Sequence, residues 1–179
     1  MGRYTVRVTP PADEMILQLD ESDRFKIKKD WLARPDTPAG YAFYKAQAQA
    51  LMDTYPQINT VTLWRRSSGY VWPTIEKEHM PKAWQVEYEA IVKDDPEAEK
   101  LYQSAASFSM AKVAVAWRKA LDELGREEVE LATGSWGFSW VEAVAKFYPK
   151  EIKITPLDSE VARGTQNLRN EKLMKRFVL

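Results

Sequence analysis

The stretch LMDTYPQINTVTLW, residues 51–64, decides the fold class of this chain. Its first residues close a helical pattern, and Tyr55-Pro56 ends that pattern because a residue before proline disfavours the α region. INTVTLW (58–64) is then rich in β-formers and reads as a strand. A second stretch, AKFYPKEIKITPLD (145–158), repeats the same order of helix, Tyr-Pro, short link and strand. Strands that alternate with helices in this way imply parallel strands joined by right-handed crossovers. The expected class is α/β, built from parallel βα units.

Working outward, YTVRVTPP (4–11) alternates β-formers with polar residues and reads as a strand, and EMILQLD (14–20) reads as a second strand ending on Asp20. The charged stretch from Glu21 to Asp36 reads as irregular. Thr37-Pro38 supplies an N-cap followed by a first-turn proline, with Tyr41, Tyr44, Ala48, Leu51 and Met52 at helical spacing behind it. Pro81 opens a helix to about Val92. Asp95-Pro96 opens a longer one, about 97–124, whose Met110, Val113, Ala114, Trp117 and Leu121 share a face and whose Gly125 suits the C′ position. EVELATG (128–134) is a strand, Ser139 to Phe147 a short helix, and EIKITPLD (151–158) a strand. The tail from Arg163 to Arg176 is polar and helix-compatible.

The chain of 179 residues suits one α/β domain spanning 1–179. Twenty-six Lys and Arg balance 26 Asp and Glu, so bulk charge favours neither nucleic acid nor an anionic membrane surface. There is no cysteine, which removes disulfides, thiol nucleophiles and thiolate metal sites without fixing a compartment. No apolar stretch approaches the roughly 20 residues that span a bilayer, so no membrane insertion is expected. MGRYTVRV lacks the apolar run of a secretory signal.

In parallel α/β sheets ligands gather at the carboxyl ends of the strands. Here those ends carry unusual residues: Asp20; Trp64-Arg65-Arg66; Gly134-Ser135-Trp136-Gly137-Phe138-Ser139-Trp140; and Asp158-Ser159-Glu160. Carboxylates, guanidiniums and indoles would converge on one rim. Sugars offer C–H faces that stack on aromatic rings and hydroxyls that suit Asp, Glu and Arg; an arginine fork also matches the carboxylate of an acidic sugar. Each residue also has a plainer reading. Trp64 would plug the end of the sheet, Arg65-Arg66 would be a solvated pair, and Gly134 and Gly137 would serve a tight βα turn. Asp158 would cap the segment after it. Trp117 and Trp84 read as packing residues.

Other chemistries lack their residues. His79 is the only histidine, so it alone would have to serve as base in a Ser-His-Asp hydrolase. A zinc site of the usual kind needs several His or Cys ligands, and no EF-hand, P-loop or GxGxxG pattern occurs. No cofactor is expected. What remains for catalysis is carboxylate chemistry.

LMDTYPQINTVTLW, ALDELGREEVELATGSWG (120–137) and YPKEIKITPLD (148–158) resemble the middle βα units of bacterial (β/α)8-barrel glycoside hydrolases and their uncharacterised relatives. The resemblance covers roughly residues 40–160. It implies a TIM-barrel-like fold, carbohydrate substrates and a pair of Asp or Glu residues at strand ends. Two departures stand beside it. No Asn-Glu pair follows a predicted strand, the single one being Asn170-Glu171 in the tail, and a complete barrel usually needs about 250 residues. The expectation is a partial barrel cut from a larger barrel enzyme, or a compact α/β protein that only borrows the pattern. An incomplete barrel would expose sheet edges, which a homo-oligomer could relieve.

On that resemblance the catalytic carboxylates would be Asp158 and Glu160, with Asp20 third. Trp64, Trp136 and Trp140 would be sugar platforms, and Arg65 and Arg66 would hold hydroxyl or carboxylate groups. The alternatives are a non-catalytic carbohydrate-binding domain and a protein-interaction module whose Trp and Arg residues are hot spots.

Overall fold

In a computed structural model the protein is described over residues 5–8, 13–27, 30–65, 75–135 and 141–156. Helix α2 (Pro38–Thr54) starts as its sequence dictates. The Thr37 hydroxyl accepts the Gly40 N–H at 3.2 Å, and Pro38 occupies the first turn, where its missing N–H costs nothing. Tyr44, Ala48 and Met52 fall on the buried side, and Tyr55-Pro56 ends the helix.

Strands β1 (Thr5–Val8), β4 (Thr60–Arg65), β5 (Glu130–Ser135) and β6 (Lys153–Pro156) form one sheet in the order β1-β4-β5-β6, every pair parallel. The order in space is the order in the chain, so the sheet is wound in one direction only. Such winding with right-handed crossovers puts all connecting helices on one face. Consistently, α2 packs on α5 (Ser104–Glu123), and α5 on α6 (Val141–Phe147). Among the described residues β1 and β6 stand at the two edges and do not pair with each other, so these strands make an open sheet.

The period-two alternation of strand side chains sorts the two faces. Val61, Leu63, Leu131 and Ile154 join the main core with Phe108, Val113, Ala114, Trp117 and Leu121 of α5 and Val144 of α6. Thr60, Thr62, Trp64 and Ala132 lie on the other face and are buried as well. A strand buried on both faces is typical of parallel sheets and explains why TVTLW carries no clean polar alternation.

Three expectations need correction. EMILQLD is not a strand: Asp13–Ile16 form one helical turn, α1, with Ile16 buried while Met15 and Leu17 stay exposed. The stretch 21–36 is not irregular. A 3-10 turn over Glu21–Asp23 leads into β2 (Arg24–Ile27), which pairs antiparallel with β3 (Asp30–Ala33). The reason is a short alternation hidden among charges: Phe25 and Ile27 point into the core while Lys26 is exposed. The helix expected over 97–124 is broken. A single turn, α4 (Glu97–Lys100), is followed by extended Leu101 and left-handed Gln103 (φ 55°) before α5 begins. The buried Ser104 hydroxyl fixes this break, donating to the Ala98 carbonyl at 2.6 Å and accepting from the Tyr88 hydroxyl at 2.9 Å.

The far end of α5 closes as expected. Gly125 sits at φ +67°, its N–H donates to the Asp122 carbonyl at 3.0 Å, and the Arg126 N–H donates to the Leu121 carbonyl at 2.9 Å. This pair of bonds is a Schellman motif. Helix α3 (Lys82–Asp94) starts after Pro81 and buries Trp84 and Tyr88. No helix of the described residues is long and apolar enough to cross a membrane.

Candidate functional site at the carboxyl edge of the sheet

Because all four strands are parallel, Val8, Arg65, Ser135 and Pro156 end on one side. The register there is close: Arg65 pairs with Ser135, and Ser135 with Pro156. Of the predicted site residues, Arg66, Trp136, Trp140, Asp158 and Glu160 lie outside the described residues. Arg65 is the last residue of β4.

Trp64 does not meet its expectation of accessibility: the residue is only 6% exposed. It still belongs to the pleat of β4, on the face shared with Thr60 and Thr62, and its register partner is Gly134. A strand partner without a side chain leaves room for a large ring beside it. Trp64 is also outside the main core cluster, so it is buried on the face opposite Val61 and Leu63. On the same face Thr62 is 0% exposed, and among the described residues its Oγ1 has no hydrogen-bond partner.

Asp20 is a second correction. With no strand over 14–20 it does not end one; it is an exposed residue at the N-cap position of the 3-10 turn. Its carbonyl accepts the Asp23 N–H at 2.9 Å, and its side chain makes no capping bond. The packing readings of Trp84 and Trp117 agree with the structure, both being fully enclosed. His79 is engaged locally: its Nδ1 accepts the Glu76 N–H at 3.0 Å within a capping box. Among the described residues no group of three or more His, Asp or Glu side chains is placed to hold a metal ion.

The β2–β3 hairpin is what sequence reasoning missed. It lies in the connection from β1 to α2, and so on the carboxyl side of the sheet. The hairpin packs there against the connection from β4 to α3 and against the start of α3 itself, with Phe25 edge-on to Trp84 at 5.2 Å. Beside it Arg34 grips Asp36 through two bonds, Nε to Oδ1 at 3.2 Å and Nη2 to Oδ2 at 2.8 Å. Burial pushes the Asp36 carboxyl up, but Arg34, the Trp84 indole and the residue's own backbone N–H together outweigh it, and the net displacement is downward. The Trp84 indole N–H, which closes no hydrogen bond of normal geometry among the described residues, is one of the groups that favour the carboxylate. The outer face of the hairpin carries Arg24, Lys26 and Trp31. Its only signal in the sequence was the brief alternation of RFKI.

A separate groove of about 610 Å³ runs between the helices, lined among others by Tyr41, Ile91, Phe108, Val115 and Phe147. Its cations are engaged: Lys112 pairs with Glu87, and Lys119 pairs with Glu123 and lies over the Tyr41 ring. None of the predicted site residues lines it.

No family model, no curated protein and no solved structure matches this chain.

Proposed function

We propose that the chain is a glycoside-hydrolase-like domain that acts on or binds a poly- or oligosaccharide at the carboxyl edge of a sheet resembling part of a (β/α)8 barrel. The observation that carries this reading is the register, in which the last residues of β4, β5 and β6 stand side by side. The segments that follow them directly in sequence hold Arg66, Trp136 and Asp158. A sheet wound in one direction has no point where strand order reverses, and hence no crevice of that origin. A ligand site would instead be assembled from the βα connections, as in barrels.

The experiment is reducing-sugar release across a glycan panel, together with glycan binding by the Trp136→Ala and Asp158→Asn variants. Release that depends on Asp158 or Glu160 supports catalysis. Background release with binding that Trp136→Ala abolishes and Asp158→Asn leaves intact supports the second reading, a binding domain without a working acid/base pair. The displacement of Asp20 from any strand end favours that second reading, since it removes one of the three carboxylates. Blank glycan arrays and capture of a protein partner would replace both.

A further inference from the structure

We infer that the outer face of the β2–β3 hairpin is a second binding surface, and that its ligand is a carboxylated polysaccharide. Lys26 and Trp31 are direct cross-strand partners, and Arg24 stands two residues before Lys26 on the same face. The Arg24 guanidinium lies over the Trp31 ring at 4.6 Å from its centroid, and the Lys26 ammonium at 5.9 Å. Neither cation forms an ion pair among the described residues, whereas most arginines and lysines of the helical layer do. Among the described residues the one hydrogen bond of the Arg24 side chain is to the Ile16 carbonyl at 3.5 Å, and its buried Nε has no hydrogen-bond partner there. In sequence Lys28-Lys29 follow between the two strands, so a chain of zero net charge concentrates positive charge in one short segment.

This chemistry selects the ligand. Two cations without an ion-pair partner among the described residues call for an anion. The half-buried indole that they lie over suits, on the surface it leaves open, the apolar C–H face of a sugar ring. A polymer of uronic acids presents both groups on every residue. Single-stranded nucleic acid also combines charge with a stacking face, but it is held by longer tracts of phosphate contacts than two cations supply. The hairpin also lies in a βα connection on the carboxyl side of the sheet, the side of the proposed rim. The inference rests on the carbohydrate reading and narrows it to acidic glycans.

The test is affinity electrophoresis and equilibrium binding of the full chain with polygalacturonate, a neutral glucan, poly-glutamate and oligo-dT. Polygalacturonate should bind tightest and weaken with salt. Trp31→Ala and the double variant Arg24→Gln/Lys26→Gln should each weaken it about tenfold or more, the size expected when a stacking or charged contact is lost. Lys26→Gln replaces an exposed side chain, keeps the fold, and should lose binding alone, so poor folding of the other variants leaves the test intact. Unchanged binding by Lys26→Gln and the double variant would overturn the inference. So would poly-glutamate or oligo-dT binding as tightly as polygalacturonate, or no polygalacturonate binding at all. Neutral-glycan binding lost in Trp136→Ala but kept in Lys26→Gln would uphold the rim while this surface fails.

Discussion

The phenol of Tyr44 donates a 3.0 Å hydrogen bond to the carbonyl of Ala33, and both residues are buried. One bond thus ties the middle of α2 to the last residue of β3, holding the hairpin against the helical layer. Tyr44→Phe keeps the ring and strands the carbonyl without a donor, a loss of about 1–3 kcal/mol. Chemical denaturation should show a lower midpoint with an unchanged circular dichroism spectrum. An unaltered midpoint would mean that water reaches the carbonyl and that the hairpin is held by Phe25 and Leu32 alone.

Trp64 separates a packing role from a ligand platform. Because it is almost fully enclosed, Trp64→Ala should cost about 3–5 kcal/mol, and Trp64→Phe appreciably less. A ligand platform predicts the opposite profile, with stability near that of the parent and glycan binding abolished. Denaturation and binding measured on the same two variants distinguish them.

Two glycines give opposite lessons. At Gly125 an added Cβ meets nothing within 4 Å, so Gly125→Ala suffers only from its left-handed backbone, about 1 kcal/mol. At Gly40, inside α2, alanine would gain about 1 kcal/mol of helix propensity, yet its Cβ would stand 1.9 Å from the Arg34 carbonyl oxygen. Gly40→Ala should therefore be the more damaging of the two, lowering the melting temperature by several degrees more than Gly125→Ala. Equal effects would show that the loop before Thr37 can retreat.

Several carboxylates are held below their ordinary values by cations bonded to them: Asp95 by Lys146, Glu123 by Lys45, and Glu128 by Arg126. A carboxylate displaced downward in the fold contributes stability above its unfolded value and loses it as pH falls through the folded one. Denaturation midpoints should therefore decline as pH drops below the ordinary carboxylate range. Lys146→Met should flatten the part due to Asp95, visible as a rise in its titration midpoint by NMR. On the alkaline side burial, aided by Glu123, pushes Tyr41 up to about 12. A phenol displaced upward contributes stability below its unfolded value near 10 and loses it as pH rises towards 12. Burial also raises Tyr44 and Tyr88, so phenolate absorbance should show a late-titrating fraction in the parent protein that Tyr41→Phe reduces by one tyrosine.

The parallel sheet was legible because its units carry strong local punctuation. Thr37-Pro38, Tyr55-Pro56, Gly125 and Tyr148-Pro149 each act through backbone geometry that neighbours rarely override. The hairpin was illegible because its strands are four residues long and their apolar members, Phe25, Ile27 and Leu32, are diluted by charges. The break before α5 was hidden because it depends on Ser104 meeting Tyr88 and Ala98, a tertiary arrangement. At the candidate site the strand ends of β4 and β5 were found from the sequence, but the orientation of Trp64 was not. Which way a strand's last residue faces depends on where the strand stops, and one residue of register reverses it.

The sheet also carries a schedule for its own assembly. Partners in β5 and β6, such as Ala132 and Lys153, are separated by little more than one short helix, whereas Thr60 must find Glu130 across α3, α4 and α5. Chain entropy makes the second closure costlier by on the order of 1 kcal/mol. During synthesis β1 and β4 leave the ribosome long before β5 exists, and β4 waits with one flank unpaired. The β5–α6–β6 unit has the shorter loop to close, and the pairing of β5 with β4 is the more non-local contact, of the kind that slows folding.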